Sequence, residues 1–267
     1  MIEPVTLVKW TAIWVAILTV LVVVIDKSKW EKQGKLVFAL FAIPVMIATL
    51  YMAGHTIYKN QISETKGPVH WHADYDIYIC GTGDENRLDL IDPTGFRNKI
   101  GSPLFHEHDD HRIHVEGTVN RVEDVNVGAY FRVIGGDISK DSFTYNDQNR
   151  GMVTYNNGDL CDNGEPAELG FYVNGQKLDD ISNYMYYPHS SVPPGDCIII
   201  LFDSELPENL YGEEYSNIVC PFWKSAGWDF ENYKENRAAN KNYAPTWRNE
   251  NWEYVDGEGM VKSEVNE

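Results

Sequence analysis

Six of the eight histidines in this 267-residue chain fall in two short runs. His70 and His72 lie in VHWHADYD, and His106, His108, His111 and His114 lie in LFHEHDDHRIHVE. Residues two apart on an extended strand point to the same side, so His70, His72, Asp74 and Asp76 can share a face, as can His106 with His108 and His114 with Glu116. Asp109 and Asp110 favour a turn that would fold His111 and His114 back towards the first pair, so that four to six imidazoles converge. Neutral imidazole is the commonest protein ligand for zinc, copper, nickel and non-haem iron, and three or four in one pocket bind without thiolate. The candidate ligands are therefore His70, His72, His106, His108, His111 and His114, with copper or zinc the expected ion. Asp74, Asp76, Asp109 and Glu116 stand as further ligands or as acceptors for the second N–H of a ligating ring, and Glu107 and Asp110 offer the same chemistry. Calcium fits poorly, since it prefers oxygen ligands throughout. A lone histidine would read as an ordinary hydrogen-bonded or exposed side chain, and His55 and His189, which fall outside the runs, are read that way.

Positioning these rings requires strands. Asp74 to Cys80 alternates with Tyr75, Ile77 and Ile79 on one face and Asp74, Asp76 and Tyr78 on the other, the pattern of a half-buried strand. Arg112 to Glu116 alternates likewise, with Ile113 and Val115 inward. Ser142 to Tyr145, Gly151 to Tyr155 and Glu168 to Val173 read as further strands, the last running into the hairpin signal Asn174-Gly175. Cys197 to Phe202 is an unbroken apolar run suited to a central strand, after the punctuation of Pro193, Pro194 and Gly195. One short helix is expected between Glu123 and Ile134, capped at Asp124 or Asn126 and ended by Gly135 and Gly136. Beyond about Pro207 the text turns aromatic and polar, with Trp223, Trp228, Trp247 and Trp252. It reads as a coil anchored by its rings over the domain, with the closing VDGEGMVKSEVNE disordered.

The first fifty or so residues follow other rules. Thr6 to Ile25 and Leu36 to Gly54 are almost wholly apolar and about the ~20 residues that a helix needs to cross the hydrocarbon core. Pro44 is tolerable there as a kink. Lys27, Lys29, Lys32 and Lys35 lie between the two stretches, and short Lys-rich loops stay on the cytoplasmic side, which sends both termini outward. Trp10, Trp14, Trp30 and Tyr51 stand near the segment ends, as interfacial rings do. The first stretch exceeds the h-region of a signal peptide and no small-x-small cleavage site precedes the Lys-rich loop, so retention is expected. Two buried helices of a soluble domain would need a polar stripe that neither stretch has.

The fold class expected is thus two N-terminal transmembrane α-helices followed by a mostly β extracytoplasmic domain with one short helix. The divisions are an anchor over 1–54, a stalk over 55–67, a histidine-bearing β domain over 68–206 and an aromatic-rich extension over 207–267. Four cysteines, Cys80, Cys161, Cys197 and Cys220, all follow the apolar stretches, and an even count in an exported domain suits disulfides. Three connectivities are open, of which Cys80 with Cys161 and Cys197 with Cys220 is the one expected. No Cys-x-x-Cys occurs.

A formal net charge of −18 argues against nucleic acid as a partner, since phosphate binding needs clustered Lys and Arg. The acidic balance reads mainly as a solubilising surface, and cations are the partners it favours. Asn156 to Glu165 lacks the ligand spacing of an EF-hand, and no Gly-x-Ser-x-Gly, Walker A or Gly-x-Gly-x-x-Gly element occurs.

At His70-Trp71-His72-Ala73, His106-Glu107-His108-Asp109 and Ile113-His114-Val115-Glu116 the chain resembles a group of uncharacterised prokaryotic exported or membrane-tethered His-rich β domains. The likeness extends through VNVGAYFRVIGG and FYVNG to the Gly-Asp turn before Cys197, about Val69 to Phe202. It implies one compact β domain with a histidine site and brings no reaction with it. The extra His111, the loop near His189 and the Trp-rich tail depart from that pattern.

The function expected is a membrane-anchored domain that binds a transition metal through clustered histidines, for structure or for capture and delivery. The alternatives are an accessory or assembly subunit that uses its helices and tail to hold a membrane-protein partner, and a metal-dependent enzyme with an open position on the ion. In every case the lipid bilayer is a partner.

Overall fold

The strand that carries the first histidine run, β1, spans Pro68–Ile79. Proline cannot donate to a ladder, and here it stands at the first position of the strand. A computed structural model describes residues 3–25, 30–89, 100–108, 110–190, 195–239 and 251–263. In it the chain divides into two compact units, Met1–Ile62 and Ser63–Glu267. The second is mostly β with short helices.

In that unit β1 sits inside a seven-stranded mixed sheet. On one side it pairs antiparallel with β4 (Arg112–Thr118), which pairs with β3 (Phe105–Glu107), itself paired with the edge strand β2 (Ile100–Gly101). On the other side it runs parallel to β10 (Cys197–Asp203), which pairs antiparallel with β8 (Glu168–Val173) and through it reaches β9 (Gln176–Leu178). Asn174 and Gly175, both at positive φ, make the β8–β9 turn, as their dipeptide predicts. A smaller sheet of β5 (Asp137–Ile138), β6 (Ser142–Asp147) and β7 (Gly151–Asn156) stands apart in hydrogen bonding. The expected helix forms over Val127–Val133, its N-terminus capped by the Asn126 side chain, which accepts from the Ala129 N–H at 2.7 Å.

One expectation is corrected. β1 is not half-buried: every residue from Trp71 to Tyr78 is buried. Trp71, Ala73, Tyr75 and Ile77 face the main core, with Val127, Tyr130 and Phe131 of the short helix among its members. The opposite face is covered by the C-terminal extension, whose Cys220, Trp223, Trp228, Phe230 and Tyr233 pack with Tyr78, Tyr172, Ile199 and Leu201. Burying a large apolar side chain contributes roughly 1.5–3 kcal/mol, enough to hold the extension on the sheet.

The extension is therefore structured. It holds a 3-10 turn (Glu213–Ile218), two short helices (Pro221–Ser225 and Tyr233–Ala239) and a hairpin of β11 (Trp252–Val255) and β12 (Gly259–Lys262). The closing segment expected to be disordered thus contributes a strand whose Met260 enters the main core. Trp247 and the last four residues lie outside the described residues. The disulfides join Cys80 to Cys161 and Cys197 to Cys220, the pairing expected, and the second fastens the extension to β10. Gly195, just before β10, passes so close to the sheet that a Cβ there would stand 2.5 Å from the His72 carbonyl oxygen.

In the first unit, helices span Pro4–Val24 and Gly34–Ile62. Both are long and apolar enough to cross a membrane. The second runs past Gly54, taking in residues read as the start of a stalk. Val20, Val23, Phe38 and Leu50 are exposed, and Leu18 and Ala48 are the buried apolar residues among those described. The hydroxyls of Thr11, Thr19, Thr49 and Thr56 each donate to the carbonyl four residues back, which satisfies them without water. Lys27 and Lys29 lie outside the described residues, whereas Lys32 belongs to a 3-10 turn and Lys35 to the second helix.

Candidate metal centre

Strand register aligns the imidazoles. His72 of β1 lies opposite His114 of β4, and His114 lies opposite His106 of β3, so three adjacent strands each contribute one ring to a single row. The two-residue period adds His70 on β1, opposite Glu116, and His108 just beyond the end of β3. The ring centroids of His72 and His114 are 4.7 Å apart, and those of His106 and His114 are 5.3 Å apart.

Among the described residues two groups of three result: His70, His72 and His114, and His106, His108 and His114. Within each group one ring nitrogen from every residue lies within 4.8 Å of the others. The donor set is all imidazole, which suits borderline ions such as zinc and copper. His72 and His114 are buried and His106 almost fully so, while the His70 side chain is 55% exposed, which opens one end of the row to solvent.

Hydrogen bonds fix two tautomers. His72 Nδ1–H donates to the Ser190 carbonyl at 2.6 Å, leaving Nε2 as the lone pair. Burial pushes the His72 pKa down to about 3, helped by the nearby His114 and His70 and opposed by that hydrogen bond, so the ring stays neutral as a ligand must. His114 Nε2–H donates to the Asp110 carboxylate at 3.0 Å, while its Nδ1 is buried without a hydrogen-bond partner. Burial alone would raise the Asp110 carboxyl, but the hydrogen bond from His114 and the neighbouring Arg112 guanidinium outweigh it and hold the group below its usual range. A ligating ring whose other N–H meets a carboxylate or carbonyl is the usual arrangement around a protein-bound metal.

The remaining candidates go elsewhere. His111 takes φ 60°, a left-handed conformation that interrupts the strand period, and its Nδ1 meets Asp76 Oδ1 at 2.7 Å, where Arg87 Nε also donates at 2.8 Å. His111 and Asp76 thus belong to neither three-histidine group. Asp74 is fully buried, its carboxylate oxygens lack hydrogen-bond partners, and burial raises its carboxyl well above the usual range against the pull of Arg112. It too stands outside both groups. Glu116 lies among the rings, its Oε1 3.0 Å from His70 Nε2 and 3.7 Å from His106 Nε2. Asp109 lies outside the described residues. The His189 ring stacks on Tyr187, and the backbone carbonyl of His189 accepts from the His72 N–H at 2.9 Å.

The part of Ser190 has no signature in the sequence, because a backbone carbonyl 118 residues away orients His72. On the same sheet face the Arg112 guanidinium lies 3.3 Å from the ring centre of Phe222 in the extension, a cation–π contact. Comparison with protein-family models, with curated proteins and with solved structures finds no match.

Proposed function

We propose that this chain is a membrane-anchored protein whose β domain captures a transition-metal ion, copper or zinc, on the outer side of the membrane. The observation that carries the reading is the pair of three-histidine groups on three neighbouring strands, with ligand nitrogens within 4.8 Å of one another. The neutral state of His72 and the carbonyl and carboxylate that orient His72 and His114 support it. Three imidazoles leave a coordination position open, and the exposed His70 gives access to it, which favours capture and delivery over a sealed structural ion.

The two apolar helices supply the anchor. The Lys-rich connection between them assigns the cytoplasmic side to that loop and the outer side to the β domain. Two disulfides suit an oxidising compartment. The test is elemental analysis of the full chain purified in detergent, before and after chelator, beside a His72→Ala/His106→Ala variant. Copper or zinc near one equivalent, removed by chelator and lost in the variant, supports the reading. A chain without metal that takes up neither ion on addition rules it out.

A further inference from the structure

The two three-histidine groups are not independent, because His114 belongs to both. Its Nε2–H is held by Asp110, whose carboxylate oxygens lie 3.0 and 3.2 Å away. Its Nδ1 is buried and has no hydrogen-bond partner. With Nε2 turned to Asp110, Nδ1 is the nitrogen left to face a metal ion, and one nitrogen lone pair serves one ion at a time.

Resting on the metal-binding reading above, we propose that the two groups are alternative seats for one ion, which pivots about His114 Nδ1 between an outer seat with His70 and His72 and an inner seat with His106 and His108. The seats differ in access. The His70 side chain is 55% exposed, whereas that of His106 is 1% exposed. Glu116 spans them, with one carboxylate oxygen 3.0 Å from His70 Nε2 and 3.7 Å from His106 Nε2, and can offer that oxygen to an ion that has released one pair of rings before gaining the other. The exchange trades neutral imidazoles for neutral imidazoles, so no proton or electron moves and the ion keeps its charge. An ion that enters from solvent at the exposed His70 is thereby carried to a seat whose rings are buried or half-buried.

Cobalt(II) is a suitable probe for the full chain in detergent, since its visible spectrum reports the ligand set. Binding stoichiometry, spectrum and the rate of removal by EDTA are the readouts. Unmodified protein is expected to bind one cobalt. His70→Ala is expected to keep one, in the inner seat. The double variant His106→Ala/His108→Ala keeps one in the outer seat and releases it about tenfold faster, since affinity differences between related sites fall mainly on the off-rate. The two spectra differ, and His114→Ala loses both. Asp110→Asn weakens binding about ten- to hundredfold, by releasing the ring that it orients. Two cobalt ions per unmodified chain, or a full equivalent retained by His114→Ala, overturns the pivot and leaves metal binding intact. No cobalt in the unmodified chain, with zinc and copper also refused, overturns the metal-binding reading itself. The wild-type stoichiometry decides the first point even where a variant fails to fold.

Discussion

The indole Nε1–H of Trp14 donates to the backbone carbonyl of Leu40, 3.1 Å away on the second helix. That carbonyl is the one Pro44 leaves without a partner, because a helical N–H bonds four residues back and proline has none. Sequence reading expects Trp14 at the membrane interface and a kink at Pro44, and the hydrogen bond connects the two residues through the Leu40 carbonyl.

Trp14→Phe should therefore destabilise the helix pair by about 0.6–2 kcal/mol, the range for hydrogen bonds between helices in lipid. Pro44→Ala restores the donor within the second helix, so Trp14→Phe should cost much less in that background. A double-mutant cycle followed by denaturant titration in detergent measures the difference, and equal losses in both backgrounds would refute the pairing.

Zinc should stabilise the folded domain if the histidines hold it. A ligand a hundredfold above its Kd adds about 2.7 kcal/mol, or about 5–10 °C in Tm for a domain of this size. His72→Ala should abolish most of that increase. Thermal unfolding by circular dichroism, with and without zinc, provides the comparison.

Loss of the disulfides should cost stability in proportion to loop length. Cys197 and Cys220 are 23 residues apart and Cys80 and Cys161 are 81 apart. Chain entropy gives about 3 kcal/mol for the first and about 4–5 kcal/mol for the second. Urea titration of the paired Cys→Ala variants tests the order. In the Cys197→Ala/Cys220→Ala variant, Trp223 fluorescence should shift to longer wavelength as the extension loosens.

Asp256 gives an acid-side prediction. Burial pushes its carboxyl upward, but hydrogen bonds from Tyr233 at 2.6 Å, Lys234 at 3.0 Å and Asn174 outweigh this and hold it below the usual range. A carboxyl depressed on folding stabilises above its unfolded pKa, about 3.9, and loses that contribution as the pH falls through the folded value. Asp256→Asn should cost about 1–2 kcal/mol at neutral pH. The gap to the unmodified protein should narrow as the pH drops below about 4. Denaturant unfolding across pH would show a constant gap if the charge has no part.

Much of this was legible from residue types and periods. The alternation around Ile113 and Ile77, the apolar run from Cys197, the Asn126 cap and the Asn174-Gly175 turn each act locally, and each forms the element that it predicts. The histidine row follows from the same two-residue period, once register is set by which residues must face the core. What escaped depends on distant partners. Asp74 and Asp76 mark a solvated face by type, yet Trp223, Trp228 and Tyr233 belong to a second core on that side of the sheet. His111 shares its run with the clustered histidines, but a left-handed backbone, which no spacing rule anticipates, directs it to Asp76. The tail lacks periodicity because its helices and strands are too short to display one.

The parallel partnership of β1 with β10 matters for how the protein comes into being. Asp74 meets Cys197, and Cys197 then bonds Cys220, so the middle strand gains its second neighbour and its cover only after the chain has been made through Cys220. Pairings so distant along the chain form slowly, and assembly of the histidine row's surroundings is thereby tied to strands far apart in sequence rather than to the local β3–β4 hairpin that bears most of its rings.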